Sequence, residues 1–112
     1  MPREFVIFSA EPIGVLECVA ATAAVDPDLG IGRWWDGGAT QLASETPVLA
    51  VLRSASVTAD FDVERMAGLS IPAGTAWLTE AYAPFGEELT LPVATRLADD
   101  VGGTLVELGV DG

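Results

Sequence analysis

The sequence contains no lysine, no histidine and no asparagine, and Cys18 is its single cysteine. Without histidine there is no Ser-His-Asp or Cys-His nucleophile system and no histidine-ligated metal. Without lysine there is no Schiff-base chemistry and no phosphate-binding loop of the Gly-Lys-Ser/Thr type. One cysteine forms no internal disulfide, which fits a reducing compartment. The lack of asparagine excludes N-glycosylation. Basic charge is also scarce: all five basic residues are arginine, against 17 acidic residues, for a net charge of −12 on 112 residues. That balance opposes binding to nucleic acid, which is held through Lys and Arg contacts to phosphate, and to anionic membrane surfaces. Long apolar runs are missing too. The run at 5–10 ends at Glu11 and Pro12, too short for a signal-peptide core or a membrane span. The uncharged stretch 66–79 is broken by Gly68, Pro72 and Gly74. A cytoplasmic protein is expected.

What is present is a chain that is 50% hydrophobic and 20% charged, too apolar for an acidic disordered tail. A single domain over 1–112 is expected, burying roughly two-thirds of its unfolded surface. Phe5-Val6-Ile7-Phe8 reads as a strand covered on both faces. Pro12 suits a helix start. Ile13, Leu16, Ala20 and Ala23 then follow at helical spacing, which predicts a helix over 12–25. Residues 32–36 read as a strand, Gly37-Gly38 as a hairpin turn, 40–43 as the returning strand and 48–53 as another. The segment 54–70 is ambiguous between a strand at 56–58 and a short helix at 60–67. Pro72-Ala73-Gly74 is a turn and 75–82 a strand. Residues 90–101 form the second helix, with Val93, Leu97 and Val101 on one face. Gly102-Gly103 fits a left-handed C-cap, and 104–108 is a closing strand. The predicted class is α+β, a mainly antiparallel sheet with two principal helices in the order β-α-β-β-β-β-α-β. Phe5, Ile7, Leu16, Leu49 and Leu97 are the expected core positions.

Any chemistry would fall to carboxylates, hydroxyls, Tyr82, Cys18 or arginine. Cys18, in the middle of an apolar helix with no histidine to activate it, reads as a small buried hydrophobe. Gly30-Ile31-Gly32 lacks the third glycine and the following helix of a dinucleotide fingerprint. Asp60, Asp62 and Glu64 alternate and would share one strand face. A calcium loop would also need glycine and glutamate where Arg65 and Ile71 stand, so no metal and no cofactor is expected. Glu87 and Glu88 lie at a helix start, where negative charge is stabilising. Asp99 and Asp100 lie at the same helix's C-terminal end, where each costs about 0.3–1 kcal/mol. Trp34 and Trp35 on a strand point to opposite faces. One enters the core; the other, beside Asp36, is an interface anchor unless helices cover both faces.

A small acidic domain without catalytic residues fits an inhibitor of a cationic enzyme, because complementary charge speeds association. In this character the chain resembles the immunity proteins of bacterial polymorphic and contact-dependent toxin systems. Leu97-Ala98-Asp99-Asp100-Val101-Gly102-Gly103-Thr104-Leu105-Val106 is similar to the closing helix-turn-strand of some of these proteins. The resemblance implies a basic toxin domain as partner and carries over no residue roles. The residues themselves nominate Trp34, Trp35, Asp36, Asp60, Asp62, Glu64, Glu87, Glu88, Asp99 and Asp100 as partner-binding candidates. Two alternatives stand beside this reading. One is a homodimeric structural or accessory domain. The other is a small carboxylate-based enzyme using acids and Tyr82 in a pocket between sheet and helices.

Overall fold

The computed structural model describes residues 2–34, 39–43, 47–52, 54–56, 74–85 and 88–108, with Arg33 and Trp34 described by backbone only. The strands are β1 (Arg3–Ser9), β2 (Gly30–Trp34), β3 (Ala39–Ala43), β4 (Pro47–Leu52), β5 (Ala55–Ser56), β6 (Trp77–Ala83) and β7 (Thr104–Leu108). The helices are α1 (Val15–Val25), between β1 and β2, and α2 (Thr90–Asp100), between β6 and β7. The class is α+β, and the element order follows the sequence expectation, with the two-residue β5 added in the segment that was ambiguous. No described helix is long and apolar enough to cross a membrane.

The strands form one sheet in the order β2-β3-β4-β6-β1-β7, with β5 also pairing β6. Every described pairing is antiparallel. β1 is paired along both edges, to β6 and to β7, and Phe5 through Ser9 are all buried. Because side chains alternate across a strand, Phe5 and Ile7 enter the core beneath the helices. Val6 and Phe8 join Leu78, Val106 and Leu108 on the opposite face. The unbroken apolar run thus marks a strand buried on both sides.

α1 and α2 pack against each other on one face of the sheet, α1 over β3 and α2 over β1, β4 and β7. The core between helices and sheet includes Leu42, Leu49, Val51, Ala81, Val93 and Leu97. Four of the five expected core positions are buried there. Leu16 is not: it is 78% exposed. The buried residues of α1 are Cys18, Ala21 and Thr22, with Val25 packed against the core. The helix lies about half a turn away from the orientation that Leu16, Ala20 and Ala23 imply. It is apolar nearly all round, so periodicity could not choose a face. The small residues face inward, next to Ala94 and Ala98 of α2, which are buried in the same core.

Polar groups pin the connections. β6 pairs with β4 at Ala50 and Val51 and with β5 at Ala55 and Ser56. The Ser54 Oγ accepts from the Ile13 N–H at 2.8 Å and lies 2.6 Å from the Thr79 Oγ1. It thereby ties the β1–α1 connection to the sheet. Thr90 donates from Oγ1 to the Val48 carbonyl at 2.9 Å, seating the first turn of α2 on β4. α1 begins at Val15 rather than at Pro12, and the Gly14 N–H donates to the Glu17 carboxylate at 2.6 Å.

The C-terminal end of α2 closes as expected. Gly102 has φ 61°, its N–H donates to the Asp99 carbonyl, and the Gly103 N–H donates to the Ala98 carbonyl. This is a Schellman arrangement, in which glycine supplies the left-handed residue. Gly103 is needed for a different reason. A Cβ at that position would stand 2.6 Å from the Phe8 carbonyl oxygen and 3.2 Å from the Ser9 Cβ. Gly103→Ala is expected to push the α2–β7 turn off β1 and destabilise the fold by about 1–3 kcal/mol, the usual range for overpacking. Urea unfolding of the two proteins, read as a lower midpoint at unchanged m-value, checks this.

Candidate partner-binding surface

Among the ten partner-binding candidates, Trp35, Asp36, Asp60, Asp62, Glu64 and Glu87 lie outside the described residues. Trp34 is the last residue of β2 and stands opposite Ala39 in the ladder. Glu88 is exposed in the turn before α2, while Asp99 and Asp100 are exposed at that helix's far end. At 1.5 Å rise per residue, α2 separates them by about 16 Å, so Glu88 and the aspartate pair do not form one cluster. Asp100 is also less misplaced than its position suggests. Arg96, one turn earlier, donates from Nε to its Oδ1 at 2.9 Å. That cation offsets the unfavourable end of the helix dipole.

The structure assembles residues that the sequence reading did not single out. Glu11, from the β1–α1 connection, and Glu17, from the first turn of α1, meet Asp100 and Val101 around an open groove of about 430 Å³. A second groove, of about 410 Å³, runs along the exposed side of α2 from Leu91 and Pro92 past Thr95 and Arg96 to Asp99, and reaches Val25 at the end of α1. The two helices therefore run antiparallel, the start of each beside the end of the other. Along α1 runs its outward face: Leu16 and Val19 at 78% and 43% exposure, with Ala20 and Ala23 also exposed. The signal for this face was in the sequence. Residues 15–25 carry one charge, Glu17, so a surface position for this helix must leave apolar side chains in water.

The opposite sheet face offers different chemistry. Glu4, Glu80 and Tyr82 line a depression of about 100 Å³ with Leu52 and Leu108. Tyr82 therefore points away from the helices, and the space between helices and sheet is filled by the apolar core. A volume of that size holds about three waters, well below the roughly 300–1,000 Å³ of small-molecule pockets. Among the described residues no group of His, Cys, Asp and Glu is arranged to hold a metal ion. Cys18 is buried, and burial together with the nearby Glu17 charge pushes its thiol up to about 12. It stays protonated and unreactive at neutral pH.

Both arginines with described side chains are used internally. Arg96 holds Asp100. Arg3 makes a two-pronged pair with Glu107 across β1 and β7, Nε to Oε2 at 2.8 Å and Nη2 to Oε1 at 2.6 Å, and its guanidinium lies 5.2 Å from the Phe5 ring centroid. Glu11, Glu17, Glu88 and Asp99 have no ion pair among the described residues. No known protein family, curated protein or solved structure matches the chain.

The Arg3 hydrogen bonds hold the Glu107 carboxyl below the usual carboxylate range. A lowered folded-state pKa stabilises the fold above the unfolded value and is lost as pH falls through the folded one. The pair's contribution is therefore complete above about pH 5 and fades below about pH 4. Both side chains are partly exposed, so solvent limits the effect to about 1 kcal/mol or less. Glu107→Gln is expected to lower the urea midpoint at pH 7 and to narrow its gap from the parent protein at pH 3. A gap that is the same at both pH values would show that the ion pair contributes nothing.

Proposed function

We propose that this is a non-catalytic acidic binding protein of the bacterial cytoplasm, an immunity protein that neutralises a basic toxin domain by direct contact. The observation that carries this reading is the use of arginine. The two arginines with described side chains are spent on Glu107 and Asp100, while Glu11, Glu17 and Asp99, around the α1–α2 grooves, have no ion pair among the described residues. A protein of net charge −12 gains association rate from a partner of opposite sign, and such a partner supplies the missing cations.

The apolar outer face of α1 also favours a second reading, a homodimer. Self-association would bring two such acid-bordered faces together, at a Coulombic cost that falls only as salt rises. The carboxylate-enzyme reading draws less support, since the depression holding Glu4, Glu80 and Tyr82 has room for only a few waters.

The test is direct binding of the toxin-like domain encoded by the adjacent gene, with kinetics at low and high salt. Association is expected to slow several-fold at high salt, and again in the Asp99→Ala/Asp100→Ala variant, with dissociation changed much less. No binding, or an association rate indifferent to both changes, would sink the immunity reading.

A further inference from the structure

The outward face of α1 is an exposed apolar surface. Leu16, Val19, Ala20 and Ala23 fall at i, i+3, i+4 and i+7, one face of a helix. Leu16 and Val19 account for two of the six large hydrophobic residues exposed among those described. The inward face at 18, 21, 22 and 25 already meets the core, so the outer stripe has no role in holding the fold.

Carboxylates border this stripe at both ends. Glu11 and Glu17 flank its start, beside Asp100. Asp26 and the exposed Asp28 follow its end. Among the described side chains the one cation on α2 is Arg96, which is committed to Asp100. An apolar centre within an acidic border fits an apolar ridge bordered by lysine or arginine. It opposes a second copy of the same surface, which would set carboxylates against carboxylates.

We propose that the outer face of α1 is a docking surface for a basic amphipathic segment of a protein partner, with Leu16 and Val19 as the apolar anchors and Glu11 and Glu17 as the charged border. This rests on the reading of the chain as a binder of a basic protein, and it gives that binder a surface. Affinity comes from burying the anchors, while the border sets association rate and excludes acidic partners.

Two synthetic amphipathic helical peptides with the same leucine stripe, one bordered by lysine and one by glutamate, are the probes. The lysine peptide is expected to shift the amide resonances of Leu16, Val19, Ala20 and Ala23, and the glutamate peptide to leave them in place. Leu16→Glu, at an exposed position outside the core, is expected to weaken the lysine peptide by about 30-fold or more. Glu11→Gln is expected to slow association, and Glu80→Gln, on the opposite sheet face, to leave it unchanged. Equal binding of both peptides, shifts confined to other elements, or a dimer in sedimentation that Leu16→Glu dissolves would overturn the proposal. The toxin-like domain separates the two readings. If it binds parent and Leu16→Glu proteins alike, the immunity reading stands and this surface falls. If it binds neither while the lysine peptide still maps to α1, the surface stands and the immunity reading falls.

Discussion

Burial of β1 on both faces is the constraint on which the other elements depend. Phe5 and Ile7 need a helical layer above the sheet, and Val6 and Phe8 need cover below it. Pairing along both edges, to β6 and β7, satisfies the strand's backbone groups in the interior. The helix after β1 must then leave the sheet, and the strand before the C-terminus must return to its edge. The close approach of Gly103 to the Phe8 carbonyl is the steric trace of that return.

The two helices meet this constraint differently. α2 is amphipathic, with Thr90, Val93, Ala94, Leu97 and Ala98 buried and Thr95, Arg96, Asp99 and Asp100 in water. α1 is not. It turns Cys18, Ala21 and Thr22 inward and leaves larger side chains outside. Covering a leucine and a valine is worth about 1.5–3 kcal/mol each when complete. The fold leaves most of that free energy unused, and a partner that covers the face gains it. Apolar surface and carboxylates without an ion pair among the described residues thus both occur at α1, the combination that a specific interface with a basic partner uses.

The chemical inventory limited function before any geometry was known, because missing histidine and lysine remove whole mechanisms. Geometry then added position. Glu11 and Glu17 are unremarkable as isolated glutamates in the chain, and only the antiparallel helix pair brings them beside Asp100. Glu88 and the Asp99–Asp100 pair look alike as acidic residues near one helix, yet they occupy opposite ends of it. Tyr82 has the same divided character. Its strand was legible, but the ladder with Glu4 and Ala50 places it on the face away from the helices.

The sequence by itself determined the α+β class, the order of strands and helices, the doubly buried first strand and the glycine turn after α2. These depend on local signals: apolar runs, period, and residues with special backbone freedom. Only the tertiary structure decided which side of α1 faces the core. A helix whose side chains are nearly all apolar carries no hydrophobic direction, so the partner helix and sheet choose its face, and here small residues turned inward. That choice put Leu16 in water rather than in the core, and it made an internal-looking helix the candidate binding surface.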